Sequence, residues 1–241
     1  MAKIEAKNLY KIFGPRQKQE EALELSRDGK SQQEVFNETG CTVAVRDVSF
    51  SVDGPEIFVI MGLSGSGKST LLRCINRLIE PSAGEVRLDE DNVLEMDHGQ
   101  VLDLRKKKTA MVFQHFGLLS HRSVLENAAF GLELMHVSES ERNEKAREAL
   151  ELVGLSEQAH HRVSELSGGM QQRVGLARAL ATEAEILLMD EAFSSLDPLI
   201  RTRMQSEFLE LQEMIPKTIL FITHDLSQEL RQGDWIATLE E

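Results

Sequence analysis

Nine consecutive residues, Gly62, Leu63, Ser64, Gly65, Ser66, Gly67, Lys68, Ser69 and Thr70, come directly after the apolar run Ile57, Phe58, Val59, Ile60, Met61. They match G-x-x-x-x-G-K-[ST], a pattern whose setting is a strand, a tight loop and a helix. Glycines let several backbone N–H groups converge on phosphate oxygens with no Cβ in the way. A helix opening at Lys68 adds positive potential at the same place. Lys68 has the reach for β- and γ-phosphates, and the Ser69 hydroxyl is a suitable oxygen ligand for Mg²⁺. An ordinary glycine turn needs neither the strand before nor the helix after. The stretch is read as a nucleotide-binding loop.

Hydrolysis needs a metal anchor and a group that orients water. The run Ile186, Leu187, Leu188, Met189 ends in two adjacent carboxylates, Asp190 and Glu191. A buried strand ending there places Asp190 to hold Mg²⁺ through water and Glu191 to polarise the attacking water. On its own the pair would read as two solvated acids at a strand end; beside the Lys68 loop it reads as chemistry. Ser167, Gly168 and Gly169, a third feature, precede a helix pattern and repeat the logic of an anion-binding helix start. Such triplets are common in loops, and this one gains weight from its place shortly before Asp190.

The surrounding elements must hold these residues. Residues 4–13 read as a strand and turn, and residues 42–52 as a second strand with partial alternation. Between them, residues 15–37 form a polar excursion with two helical pieces, the second opened by the capping box Ser31 to Glu34. After the loop, Leu71, Leu72, Ile75, Leu78 and Ile79 predict one helix face that ends at Glu80 and Pro81. Cys74 on it reads as a buried thiol. Residues 85–88 predict a strand, and Arg105, Lys106, Lys107 and Lys108 a solvated flank before another. Residues 124–181 are helical. Ser138 and Glu141 cap a helix with Ala146, Leu150 and Val153 inward and Gly154 as its stop. Asp197 and Pro198 are an N-cap and first helical residue for a face of Ile200, Met204, Phe208, Leu211 and Ile215. Strands return at 186–189 and 218–222. The fold class is α/β, with a mainly parallel sheet and a helical lobe inserted midway.

Composition narrows the function. The 241 residues are 41% hydrophobic and 28% charged, as in a soluble globular protein, and can bury one substantial core. No apolar run approaches the ~20 residues that span a bilayer, and the N-terminus has no secretory core. Two cysteines make neither a disulfide framework nor a metal spacing, which fits a reducing compartment. A net charge of −13 argues against nucleic acid as the main partner.

Taken in order, the motifs resemble those of the ATP-binding-cassette ATPases over essentially the whole chain. Residues 62–70 match Walker A, Gln114 the Q-loop, Leu166 to Met170 the signature, Asp190 and Glu191 Walker B, Ser195 to Asp197 the D-loop, and His224 the H-switch. The resemblance implies a P-loop core with an added antiparallel β part, a core of about residues 1–114 and 183–241, and a helical subdomain of about 115–182. It also implies ATP and Mg²⁺ as ligands, with Ser69, Gln114 and Asp190 at the metal. Two cassettes would pair head to tail when ATP binds, so that Ser167, Gly168 and Gly169 of one meet the γ-phosphate held by Lys68 of the other. Glu191, His224 and Gln114 are the implied catalytic residues, Asp197 belongs to the implied nucleotide contacts, and Phe13 falls where an aromatic lies under adenine. Taken singly, Gln114 equally suits a strand end, His224 a helix cap and Phe13 a core position.

Within that family the chain looks like the ATPase subunit of bacterial glycine betaine/proline importers. The segments at 59–70, 76–81, 173–180 and 188–201 carry the likeness, and the excursion at 15–37 sits where that group has an insertion. Met170 stands where Gln is more general, and Asp89, Glu90 and Asp91 replace the usual Asp-Gly turn. The expected partners are integral-membrane permease subunits, docked near residues 115–126, where Leu118, Leu119 and Val124 offer apolar contacts beside His121 and Arg122, and indirectly a solute-binding protein, with no nucleic acid. The expected location is peripheral, on the cytoplasmic face of the bacterial plasma membrane. An importer for another amine or amino acid is the runner-up. A soluble cassette ATPase acting on nucleic acid would need long coiled coils or basic clamps, which this compact acidic interval lacks. A non-hydrolysing subunit sits badly with Glu191 and His224. Because the motifs are complete by His224, activity is expected to show no sharp ionic-strength threshold of the kind a regulatory tail would confer.

Overall fold

The computed structural model of the chain describes residues 2–113, 117–193, 197–223 and 234–239. Its contacts divide into two units, one of Met1–Gly54, Ile60–Val101 and Ala237–Glu241, the other of Pro55–Val59 and Leu102–Ile236.

The first unit is built on an antiparallel sheet. Strand β1 (Ile4–Phe13) pairs with β2 (Thr42–Val52) in the register Ile4↔Val52 to Phe13↔Thr42. Asn8 and Asp47 both adopt positive φ, and the Asn8 amide donates to the Asp47 carboxylate at 2.9 Å, which pins the irregular register there. The excursion between these strands folds as α1 (Gln19–Arg27) and α2 (Gln32–Thr39). The Ser31–Glu34 capping box forms in both directions, and that bond with Ser31 lowers the Glu34 carboxyl below its ordinary pKa. Ala22 and Val35 join Ile12, Val43 and Cys41 in one buried cluster, so the helical pair is packed onto the sheet. Strand β3 (Ile57–Met61) begins in the second unit and ends in this one, where it enters the phosphate loop and α3 (Lys68–Ile75). The hairpin β4 (Ala83–Leu88) and β5 (Asp91–Asn92) completes the sheet order β2-β1-β4-β5.

Helix α3 is shorter than its apolar spacing predicts. It ends at Ile75, and Arg77 takes the left-handed φ of 48°. The guanidinium of Arg77 donates to the carbonyls of Val93 at 2.9 Å and Met96 at 2.6 Å, contacts that hold the chain off the helical path. Leu78 is therefore 44% exposed instead of sharing the buried face of Leu71, Leu72 and Ile75. A second difference is α4 (His98–Lys107), where the sequence predicts only a charged flank. Val101 and Leu104 are its buried positions, and Arg105, Lys106 and Lys107 fill its last turn, where cations complement the helix dipole.

The second unit carries the parallel strands. β6 (Thr109–Val112), β7 (Ile186–Asp190) and β8 (Thr218–Thr223) pair in parallel, Thr109↔Ile186 and Ile186↔Thr218, in a sheet of order β6-β7-β8-β3-β9 with β9 (Trp235–Thr238). Every residue of β7 and β8 is buried, as expected of central strands covered on both faces. Between β6 and β7 come α5 (Val124–Leu134), α6 (Glu139–Leu152) and α7 (Gly168–Ala181), which pack on one another. Ser138 caps α6 by accepting from the Glu141 N–H, without the return bond of a full capping box, while Ala146 and Leu150 are among its buried residues and Gly154 at φ 68° ends the segment, as the spacing predicts. Helix α8 (Pro198–Met214) buries Met204, Phe208 and Leu211. Phe193 packs against Phe208 and Phe221 at 5.9 and 5.7 Å between ring centres, tying α8 to β8. Ile200 and Ile215, at the two ends of the predicted face, remain partly exposed.

Candidate functional site

The glycine-rich loop closes on itself and on the strand beside it. A Cβ on Gly67 would lie 1.8 Å from the Ala44 carbonyl oxygen of β2, and Gly67 sits at φ 88°. A Cβ on Gly62 would lie 2.5 Å from the Leu239 carbonyl oxygen and 2.7 Å from Ser66 Oγ. Both positions exclude a side chain for packing reasons, so the loop backbone packs directly on β2 and on residue 239. Leu63, Ser64 and Gly65 form the crest, while Ser66 and Lys68 are buried. Lys68 Nζ donates to the carbonyls of Gly62 at 2.8 Å and Leu63 at 2.7 Å, so the ammonium is held inside the loop. Helix α3 starts with Gly67 as its cap, which has no side chain to bond the first N–H groups. Ser69 and Thr70 lie in its first turn. This cradle of glycine backbone, buried ammonium and helix start suits a phosphate chain.

Replacing Gly67 by alanine is expected to remove nucleotide binding. Alanine at this φ costs about 1–2 kcal/mol for backbone conformation alone, and the clash with β2 must be relieved by moving the loop. Titration with a fluorescent ATP analogue should show affinity weakened at least ~30-fold, an effect of about 2 kcal/mol. Unchanged affinity would show that the cradle does not depend on this close approach.

Asp190 and Glu191 lie in the second unit at the end of β7. Asp190 is 1% exposed, and the chain turns sharply after it. Glu191 adopts φ 46° while its N–H donates to the Ile222 carbonyl at 3.1 Å. A glutamate in the left-handed region is strained by about 1–3 kcal/mol and persists only where its surroundings impose it, a feature common at reacting centres. Ser167 is the N-cap of α7, its Oγ accepting from the Met170 N–H at 3.4 Å, and Gly168 has open space where a Cβ would be. Gly169 lets α7 approach α8, since its Cβ would meet Ile200 at 3.0 Å. Asp197 caps α8, accepting from the Leu199 N–H at 3.0 Å with Pro198 next in line. Phe13 ends β1, 42% exposed, with the Lys11 ammonium 4.9 Å from its ring centre. Gln114, Ser195, Leu196 and His224 lie outside the described residues. Cys74 is fully buried, and burial pushes its thiol up to about 12, so it stays protonated and unreactive at neutral pH.

Two arginines of α7 carry links that sequence reasoning misses. Arg173 donates to the Val153 carbonyl at 3.1 Å and pairs with Glu207 at 2.9 Å, joining the end of α6 to α8. Arg178 donates to the Gly117 carbonyl at 2.7 Å, and burial lowers its pKa from the usual arginine value. Arginines inside a helix that is otherwise uncharged are the one local signal of these links. Of the residues expected to offer apolar contacts near 115–126, Val124 is instead fully buried in the helical lobe, where Leu125 joins it. Leu118 and Leu119 are half-buried, and Ser120 and His121 are exposed.

A family profile described as ABC transporter matches residues 45–194. The glycine betaine transport ATP-binding protein OpuAA of Bacillus subtilis (strain 168) is 53% identical over 239 residues, 99% of this chain and 57% of that protein. The glycine betaine/proline betaine transport system ATP-binding protein ProV of Escherichia coli (strain K12) is 52% identical over 238 residues, 99% of this chain and 59% of that protein. The chain thus spans less than two thirds of the length of these relatives. Among solved structures, the dimeric post-hydrolysis state of the ATP-binding cassette MJ0796 bound to ADP and Pi superposes with a TM-score of 0.80 at 31% identity, covering 98% of this chain and 94% of that one.

Proposed function

The chain belongs to the ABC transporter family, and from that premise we propose that it is the ATP-hydrolysing subunit of an importer for glycine betaine, proline or a related quaternary amine. The observation that carries the solute class is the 53% identity extending over 99% of the chain, a span that includes the excursion folded as α1 and α2. In this reading Phe13 stacks under adenine. The backbone of residues 62–70 and the Lys68 ammonium take the phosphates. Ser69 and Gln114 would give oxygen ligands to Mg²⁺, a hard cation that prefers them, and Asp190 would hold it through water. Mg²⁺ held by these residues would supply positive charge against the charge that develops on the phosphates. Glu191 orients water and takes its proton, and His224 contacts the γ-phosphate. Two cassettes close head to tail on ATP, so Ser167, Gly168, Gly169 and Asp197 serve the site across the interface.

The membrane-embedded permease subunits dock on the segment that leads into α5, with Leu118, Leu119 and the exposed Ser120 and His121 as its surface. Among the described residues no helix is long and apolar enough to cross a membrane. Attachment to the cytoplasmic face of the plasma membrane then comes through those subunits.

The test is ATP-dependent uptake by proteoliposomes holding this chain with its natural permease and solute-binding protein. Glycine betaine and proline betaine should be taken up, and an Asp190→Asn complex should take up neither. Uptake confined to methionine or another primary amino acid would move the assignment to the runner-up solute class. DNA-stimulated ATPase with no uptake of any solute would overturn the importer reading altogether.

A further inference from the structure

The segment before α5 is neither strand nor helix, so its backbone groups need partners from elsewhere. Among the described residues, one side chain partners four of them. Asn127, in the first turn of α5, is 0% exposed. Its Oδ1 accepts from the Leu119 N–H at 2.7 Å, and its Nδ2 donates to the Leu119 carbonyl at 3.1 Å. The same Nδ2 reaches the carbonyls of Ser123 at 2.9 Å and Arg122 at 3.4 Å. A single amide thus pairs with both backbone groups of Leu119, as a strand residue would, and grips the far end of the same turn. The Arg122 N–H closes that turn on the Leu119 carbonyl at 3.0 Å.

Other contacts of α5 hold the residues at the end of the turn. Arg122 pairs with Glu133 and lies 5.0 Å from the Phe130 ring centre. Ser123 and Glu126 form a capping box, and the Val124 N–H donates to the His161 carbonyl at 2.9 Å. Both ends of the turn are therefore fixed to one helix, and its tip, Ser120 and His121, is exposed. A buried asparagine whose four bonds all go to backbone groups of residues 119–123 sets where that tip stands. A core residue chosen for packing alone would be apolar, since a buried amide costs about 1–3 kcal/mol unless it is satisfied.

We infer that Asn127 is a positioning residue for the permease-docking surface, holding the Leu119–Arg122 turn in the register the membrane subunit meets. The inference rests on the docking surface proposed above and adds the residue that builds it. Asn127 touches neither nucleotide nor metal in this assignment. Its loss should uncouple hydrolysis from transport without impairing hydrolysis itself.

The experiment uses the complex reconstituted with its permease, and Asn127→Leu and Asn127→Asp in this chain. Leucine removes all four bonds at similar volume; aspartate keeps the acceptor for the Leu119 N–H but turns an oxygen toward the three carbonyls. Basal ATPase and ATP affinity of the chain alone should stay within about two-fold, while solute moved per ATP falls at least ~10-fold. A His121→Cys reporter should cross-link to a cytoplasmic loop of the membrane subunit in the otherwise unchanged chain, and its yield should drop at least ~10-fold in either variant. Should the leucine variant fail to fold, the aspartate variant carries the same expectation, with faster amide exchange at Leu119 as the local readout. A persistent cross-link with unchanged transport per ATP leaves the docking surface standing and overturns the role of Asn127. If the reporter never cross-links to the membrane subunit, the docking surface fails and the inference falls with it.

Discussion

Glu191→Gln is expected to keep ATP binding and to lose turnover by about 10²–10⁴-fold, the range spanned by removal of a general base. Glutamine has the size and shape of glutamate but cannot take a proton from water. The substitution therefore isolates the chemistry from the geometry, which matters here because Glu191 stands at the strained φ of 46° just beyond β7. Glutamine in that conformation carries a similar backbone cost, so the thermal stability should change little. With hydrolysis stopped, saturating Mg-ATP should hold the variant as a stable dimer, whereas the unaltered chain should cycle back to monomer. Single-turnover hydrolysis and size-exclusion chromatography read the two parts separately. Full activity would remove Glu191 from the reaction, and a monomer at saturating Mg-ATP would count against the head-to-tail sandwich.

Ser167→Arg is the second large effect: hydrolysis should be abolished while the isolated chain binds nucleotide almost as before. In the proposed head-to-tail pairing, the long cation would fill the space that a serine and two glycines leave for a γ-phosphate from another cassette. Part of the effect is local, because Ser167 is the N-cap of α7 and its bond to the Met170 N–H is lost. That loss is worth about 1 kcal/mol, or a shift of roughly 2–4 °C in Tm for a chain of this size, far too little to stop turnover. Purified heterodimers combining Ser167→Arg with Lys68→Ala locate the contact. If Ser167 serves the opposite site, lesions placed on different subunits fall in one composite site and spare the other. Lesions on the same subunit then disable both. The first heterodimer should retain ATPase activity and the second should have none. The reverse order would place Ser167 and Lys68 in one site of the same subunit, and equal activities would also sink the trans arrangement.

The residues alone determine whatever the chain encodes over a few neighbouring positions. The loop at 62–70 is specified by glycine, lysine and serine at set spacings. The caps at Ser31, Ser138 and Asp197 are specified by a hydroxyl or carboxylate ahead of a helical period. The buried strands β7 and β8 are visible as unbroken apolar runs, and the motifs in series identify the family without coordinates. Tertiary structure decided the rest, wherever a distant partner outweighs the local pattern. Helix α3 stops at Ile75 because carbonyls at Val93 and Met96 capture Arg77. Val124 is core and not surface because the lobe closes over it, and Gly67 is obligatory because β2 passes at Ala44. Glu191 is forced into a left-handed turn whose N–H finds Ile222. The four bonds of Asn127 had no signature beyond a polar residue on an apolar helix face, because hydrogen-bond partners contributed by a loop become visible only once both elements are in place.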